Sequence, residues 1–61
     1  MSTIDLQTQI DCVRREIQLR DFVYPTRIAA RKMTQQKADH EMAAMRAVLA
    51  TLTELQQQGG A

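Results

Sequence analysis

The sequence predicts an all-α fold, and three observations carry that expectation. Alanine, glutamine, leucine, methionine and arginine dominate, all of them good helix formers. The glycines, Gly59 and Gly60, stand at the C-terminal end, so Pro25 is the one breaker between Ser2 and Gln58. Two separate runs of apolar residues recur at spacings of four and three, which is the seam of a coiled coil.

The first run is Leu6, Ile10, Val13 and Ile17, continued by Arg20 and Tyr24 where the apolar character fails. Ser2 or Thr3 is the expected cap, with Asp5 in the first turn, where a carboxylate suits the helix dipole. Asp11 with Arg15, and Glu16 with Arg20, are acid-before-base pairs four apart, each worth a few tenths of a kcal/mol. Pro25 lacks an N–H and pushes Tyr24 out of helical geometry. The first helix is therefore expected to end near residues 22–24. Pro25 then opens a short helical turn over residues 25–32, with Ile28 on its apolar side. Thr34 is the next cap candidate, although Lys37 stands where a capping box wants Glu or Gln. The second run is Ala38, Met42, Met45, Leu49 and Leu52, widened by Val48 and Leu55. Two stripes joined by a short connection predict an antiparallel helical hairpin of one long helix, one Pro-kinked short helix and a second long helix. Residues 1–55 form the single domain and residues 56–61 a flexible tail.

Sixty-one residues bury only about 60% of the surface of the unfolded chain, and one small core seldom supplies more than ~3–5 kcal/mol. One cysteine, Cys12, rules out an internal disulfide, and Cys12 with His40 alone makes no structural zinc site. Self-association is the remaining route to stability. The expected architecture is thus a homo-oligomeric bundle, with Leu6, Ile10, Val13, Ile17, Met42, Met45, Leu49 and Leu52 at its interface. No basic stretch followed by an apolar run opens the sequence, and no segment approaches the ~18 apolar residues of a spanning helix. No secretory signal and no membrane partner are expected. A lone thiol fits a reducing cytoplasm.

Charge is unevenly spread. Residues 14–37 hold seven cations against two anions, while both flanks are acidic, and the total of +1 conceals this. The basic middle contains the two aromatics, Phe22 and Tyr24, and Pro25. Arg27 and Arg31 stand four apart, so on a short helix they share a face. Lys32 follows, and Thr34 opens a helix whose free N–H groups attract anions. A tyrosine or arginine plane also holds a flat ring. An anionic ligand at Tyr24, Arg27, Arg31, Lys32 and Thr34 is the functional expectation. The bland alternative is that Tyr24 packs across the hairpin, Pro25 turns the chain and the cations solvate its tip.

No catalytic motif is present. Asp39-His40-Glu41 has the residue types for metal or acid–base chemistry, but helix neighbours lie ~100° apart and do not converge. Cys12 lies beside the stripe, where a buried thiol is the default, and no base stands near it to make a nucleophile. The expectation is a non-enzyme with no cofactor and no metal. A helix-turn-helix over residues 25–52 is also conceivable, since Gln35, Gln36 and Lys37 open its second helix. Asp39 and Glu41 would then face phosphates, which disfavours duplex DNA as a partner.

Tyr24-Pro25, Ile28, Lys32-Met33-Thr34, Ala38-Asp39, Glu41, Met45, Val48-Leu49 and Leu52 form a pattern over about half the chain. The pattern resembles a family of very short, largely uncharacterised phage and prophage helical proteins. A glycine often precedes the lysine there, where this chain has Arg31. The resemblance implies a phage accessory protein in the cytoplasm of an infected bacterial host, one that counteracts a host defence by binding. The sharper expectation is sequestration of an anionic (cyclic) nucleotide signal at the basic corner. The alternative is a coiled-coil inhibitor that lays a helix into a groove of a host protein.

Overall fold

The computed structural model describes residues 3–59 and shows two helices, α1 (Leu6–Ala29) and α2 (Gln35–Gly59), joined by a short turn. At 1.5 Å per residue each helix is about 36 Å long. They lie side by side in a rod of 45 × 18 × 18 Å. Gln56 Nε2 donates to Gln7 Oε1 at 2.6 Å near the open end, and Arg46 stands 3.9 Å from Asp21 further along. These two contacts fix the antiparallel order. The expected all-α hairpin is observed.

The cap of α1 is Asp5 and not Thr3. The Asp5 carboxylate accepts from the Thr8 N–H at 2.8 Å, and Leu6 begins the helix. A carboxylate three residues before the donor reaches it directly. Ser2, the other expected cap, lies outside the described residues. Glu16 and Arg20 pair at 2.6 Å, as expected. Asp11 instead accepts from Gln7 Nε2 at 2.9 Å.

The separate short helix over residues 25–32 does not form. α1 runs through Pro25 to Ala29. Pro25 leaves the Asp21 carbonyl without its helical donor, a loss of ~3 kcal/mol in an ordinary helix interior. Both residues are exposed, and beside them Tyr24 and Ile28 share a hollow with Ala38 and Met42 of α2. Packing against a neighbouring helix, more than propensity, decides whether a helix continues. A helix-turn-helix over residues 25–52 thereby loses its first helix as a separate element.

α2 starts at Gln35 with Thr34 as its cap, Thr34 Oγ1 accepting from the Lys37 N–H at 3.1 Å. At its far end α2 continues past residue 55 to Gly59. The tail expected from residue 56 onward is therefore helical up to that point, because the glutamines are good helix formers and Gln56 reaches Gln7. Gly60 and Ala61 lie outside the described residues.

Both seams meet at the joint between α1 and α2. Ile10 is 1% exposed and Ala38 3%, the two buried residues among those described. Leu6, Val13, Ile17, Met42, Met45, Leu49 and Leu52 are half-buried. A pair of helices covers only one side of each partner, so most of the seam keeps an open edge. The eight residues expected between copies thus line the joint within one chain, Ile10 buried and the other seven half-buried. Cys12, expected to be buried, is exposed; it stands two residues beyond Ile10, on the outer side of α1. No described helix is long and apolar enough to cross a membrane.

Candidate anion site at the hairpin turn

The turn is built by the way α1 ends. Ala30 closes the helix, the Arg31 N–H donates to the Ile28 carbonyl at 3.0 Å, and the Lys32 N–H donates to the Arg27 carbonyl at 2.9 Å. These two bonds form a Schellman motif, which requires a left-handed residue just past the cap, usually glycine. Here that residue is Arg31, with φ of 60°. A side chain in this conformation costs ~1–2 kcal/mol relative to right-handed geometry. The sequence expectation that Arg27 and Arg31 share a helix face is corrected by this geometry: Arg31 lies outside the helix, because the reversal toward α2 begins there.

Arg27, Arg31, Lys32, Thr34 and Lys37 nevertheless border one concavity of about 650 Å³ at the turn, together with Ile28, Met33 and Gln35. Four cations line it and no carboxylate does. Among the described residues, Arg27, Arg31 and Lys32 have no acidic partner, and Lys37 has only Glu41 at 3.8 Å. The Schellman motif brings the third residue from the helix end and the second residue beyond it together, a position usually filled by an apolar pair. Here the pair is Arg27 and Lys32. Arg27 has a local reason to be cationic, since it stands in the last turn of α1 near free carbonyls. Lys37 stands in the first turn of α2, at the positive end of the dipole, where its local partner is Glu41 one turn on.

Tyr24 is not in this concavity. It is half-buried and borders a neighbouring hollow of about 390 Å³ with Arg20, Pro25, Ile28, Ala38 and Met42. Arg27 is the link between the two regions, because it also lines a shallow groove with Tyr24, Arg20 and Glu16. Glu16 holds the Arg20 guanidinium more firmly protonated than usual through their hydrogen bond, with a smaller contribution from the Tyr24 hydroxyl. The turn thus gathers four of the seven cations of the basic middle. Arg20 is engaged by Glu16, while Arg14 and Arg15 point outward along α1.

Lys37 is the lining cation absent from the sequence-based site. Its signal was the incomplete capping box, a cation where the helix start favours Glu or Gln. Asp39, His40 and Glu41 do not converge: Asp39 accepts from Gln35 Nε2 at 2.8 Å, His40 is exposed, and Glu41 turns to Lys37. Among the described residues no three metal-ligating side chains form a group. No protein-family model, curated protein or solved structure matches the chain.

Proposed function

We propose that the chain is a non-enzymatic, self-associating phage accessory protein that counteracts a host defence by binding an anionic nucleotide, best of all a cyclic one, at the hairpin turn. The observation that carries the reading is the turn concavity, with its four cations and no carboxylate. Two of the four sit where local structure disfavours them, Arg31 at a positive φ and Lys37 at a helix start. Residues that oppose local preference cluster where function requires them. Arg27 and Arg31 grip phosphate oxygens through paired N–H groups, and Lys32 and Lys37 add point charges. Thr34 orders the start of α2. Tyr24 borders the adjoining hollow, so its ring serves a base only where the ligand extends past Arg27.

A ligand that binds the folded chain raises its melting temperature according to occupancy. Micromolar cyclic dinucleotide is expected to raise it, and Arg27→Ala with Arg31→Ala is expected to abolish the rise while leaving helicity intact. No shift with a nucleotide panel at tens of micromolar refutes the reading. One observation favours the alternative, an inhibitor that clamps a host protein: Phe22 is 80% exposed on the outer side of α1. That alternative predicts no nucleotide shift, and loss of the host partner on Phe22→Ala.

A further inference from the structure

We propose that two hairpins pair antiparallel through the flank formed by Leu19 and Val23 of α1 with Val48 and Leu55 of α2. The inference rests on the self-association in the reading above and not on its ligand.

The seams already line the joint between the two helices of one chain, so the surface beside them is the one offered here to a second copy. Counting heptads from the seams locates it. Asp21 and Arg46 stand in corresponding heptad positions beside the seam, and their contact at 3.9 Å marks one side of the joint. The positions on the other side are Val23 in α1 with Val48 and Leu55 in α2, and Leu19 stands one turn before Val23. Leu19 is 54% exposed, Val48 46% and Leu55 47%. The carboxylates on this flank, Glu16 and Glu41, are each paired with a cation of their own helix. Docking here therefore buries no lone carboxylate.

Surface area indicates how much is left to cover. The hairpin exposes 4959 Å², whereas a compact monomer of 6.9 kDa exposes about 4000 Å². The excess, about 1000 Å², is close to the roughly 800 Å² that each partner contributes to a standard interface.

Charge selects the orientation. Residues 27–37, at the turn, hold four cations and no acid. Residues 3–13 and 47–59, at the open end, hold Asp5, Asp11 and Glu54 and no cation. Parallel pairing stacks like charges at both ends of the rod. Antiparallel pairing sets each basic turn beside the acidic open end of its partner. The apolar positions agree. The Asp21–Arg46 contact sets Leu19 and Val48 at about the same height. A two-fold axis near that height sets α1 against α1 and α2 against α2, with Leu19 of one copy beside Leu19 of the other and Val48 beside Val48.

Sedimentation equilibrium of the full chain at tens of micromolar is expected to give twice the 6.9 kDa chain mass. Leu19→Glu with Val48→Glu is expected to give the single-chain mass with the helical circular dichroism retained. Phe22→Glu, a change at the most exposed large apolar residue among those described but off this flank, is expected to leave the dimer intact. Orientation is read from cysteines placed in a Cys12→Ser background. Val48→Cys alone is expected to oxidise to a crosslinked dimer, and an equimolar mixture of the Leu19→Cys and Val48→Cys chains to form the like-residue disulfides in preference to the mixed one. A single-chain mass for the unmodified protein, a dimer lost on Phe22→Glu but kept in the double variant, or a predominantly mixed disulfide between the Leu19→Cys and Val48→Cys chains overturns the proposal. The Arg27→Ala, Arg31→Ala chain, in which nucleotide binding is tested, is expected to remain dimeric. Failure of the ligand and failure of the interface are thereby separate results.

Discussion

The Lys32 N–H donates to the Arg27 carbonyl at 2.9 Å, and this backbone bond draws two cationic residues together at the turn. The residue between helix end and Lys32 that makes the bond possible is Arg31, in the left-handed conformation. An element of the fold and the candidate anion site therefore share the same atoms. Backbone geometry sets the spacing of the charges, and the charges oppose the geometry.

Arg31→Gly is expected to stabilise the hairpin by about 1 kcal/mol, because glycine adopts this φ without a steric cost and gives back only part of that gain as unfolded-state entropy. For a chain of this size that is a rise of roughly 4–8 °C in melting temperature. The same variant is expected to bind nucleotide more weakly. Opposite signs in a thermal melt and a ligand titration are the readout. A melt lowered by the glycine contradicts the assignment of strain.

Pro25→Ala restores the donor for the Asp21 carbonyl within α1. The expected gain is about 1–3 kcal/mol, since the helix already passes through this residue. If proline instead defined the turn, the change would weaken the hairpin. Chemical denaturation followed at 222 nm separates the two outcomes.

Ile10 is the largest fully buried side chain, at 1% exposure. Removing its buried carbons is expected to cost about 2–5 kcal/mol. A core this small supplies only ~3–5 kcal/mol, so Ile10→Ala is expected to abolish cooperative unfolding. Leu19→Ala, at an exposed position, is expected to leave the folded helical signal in place.

The Asp5 carboxyl is held below its ordinary range by Thr8, through its hydroxyl first and its backbone N–H second. A depressed carboxyl contributes stability above its unfolded-state pKa and loses it as pH falls through the folded-state value. The melting temperature is therefore expected to fall on acidification below the usual carboxylate range. Asp5→Asn, which still caps but does not titrate there, is expected to reduce that acid-side slope. An unchanged slope shows that other carboxylates carry it.

Several features of the fold were legible residue by residue. The four-three spacing from Leu6 to Ile17 and from Ala38 to Leu52 marked the inner sides of both helices, because helical periodicity is a local property. Thr34 was legible as a cap for the same reason. Pro25 misled, since its local effect is to end a helix, and the contribution of Tyr24 and Ile28 packing on α2 is not local. Cys12 misled in a related way: one residue before Val13 in sequence is about 100° around the helix. At the turn, Arg27, Arg31, Lys32 and Thr34 were found from charge and capping alone. Lys37 was missed and Tyr24 was grouped with them, because the direction in which each side chain leaves the turn depends on the left-handed residue.

The sequence by itself determined the helical class, the two seams, the start of α2 and the concentration of cations between the seams. Each of these follows from propensity, periodicity or charge within a few residues. Tertiary structure alone decided that the seams face each other within one chain and that α1 survives its proline. Those outcomes depend on contacts between residues far apart in the chain, where the packing of α2 against α1 outweighs what any local segment prefers.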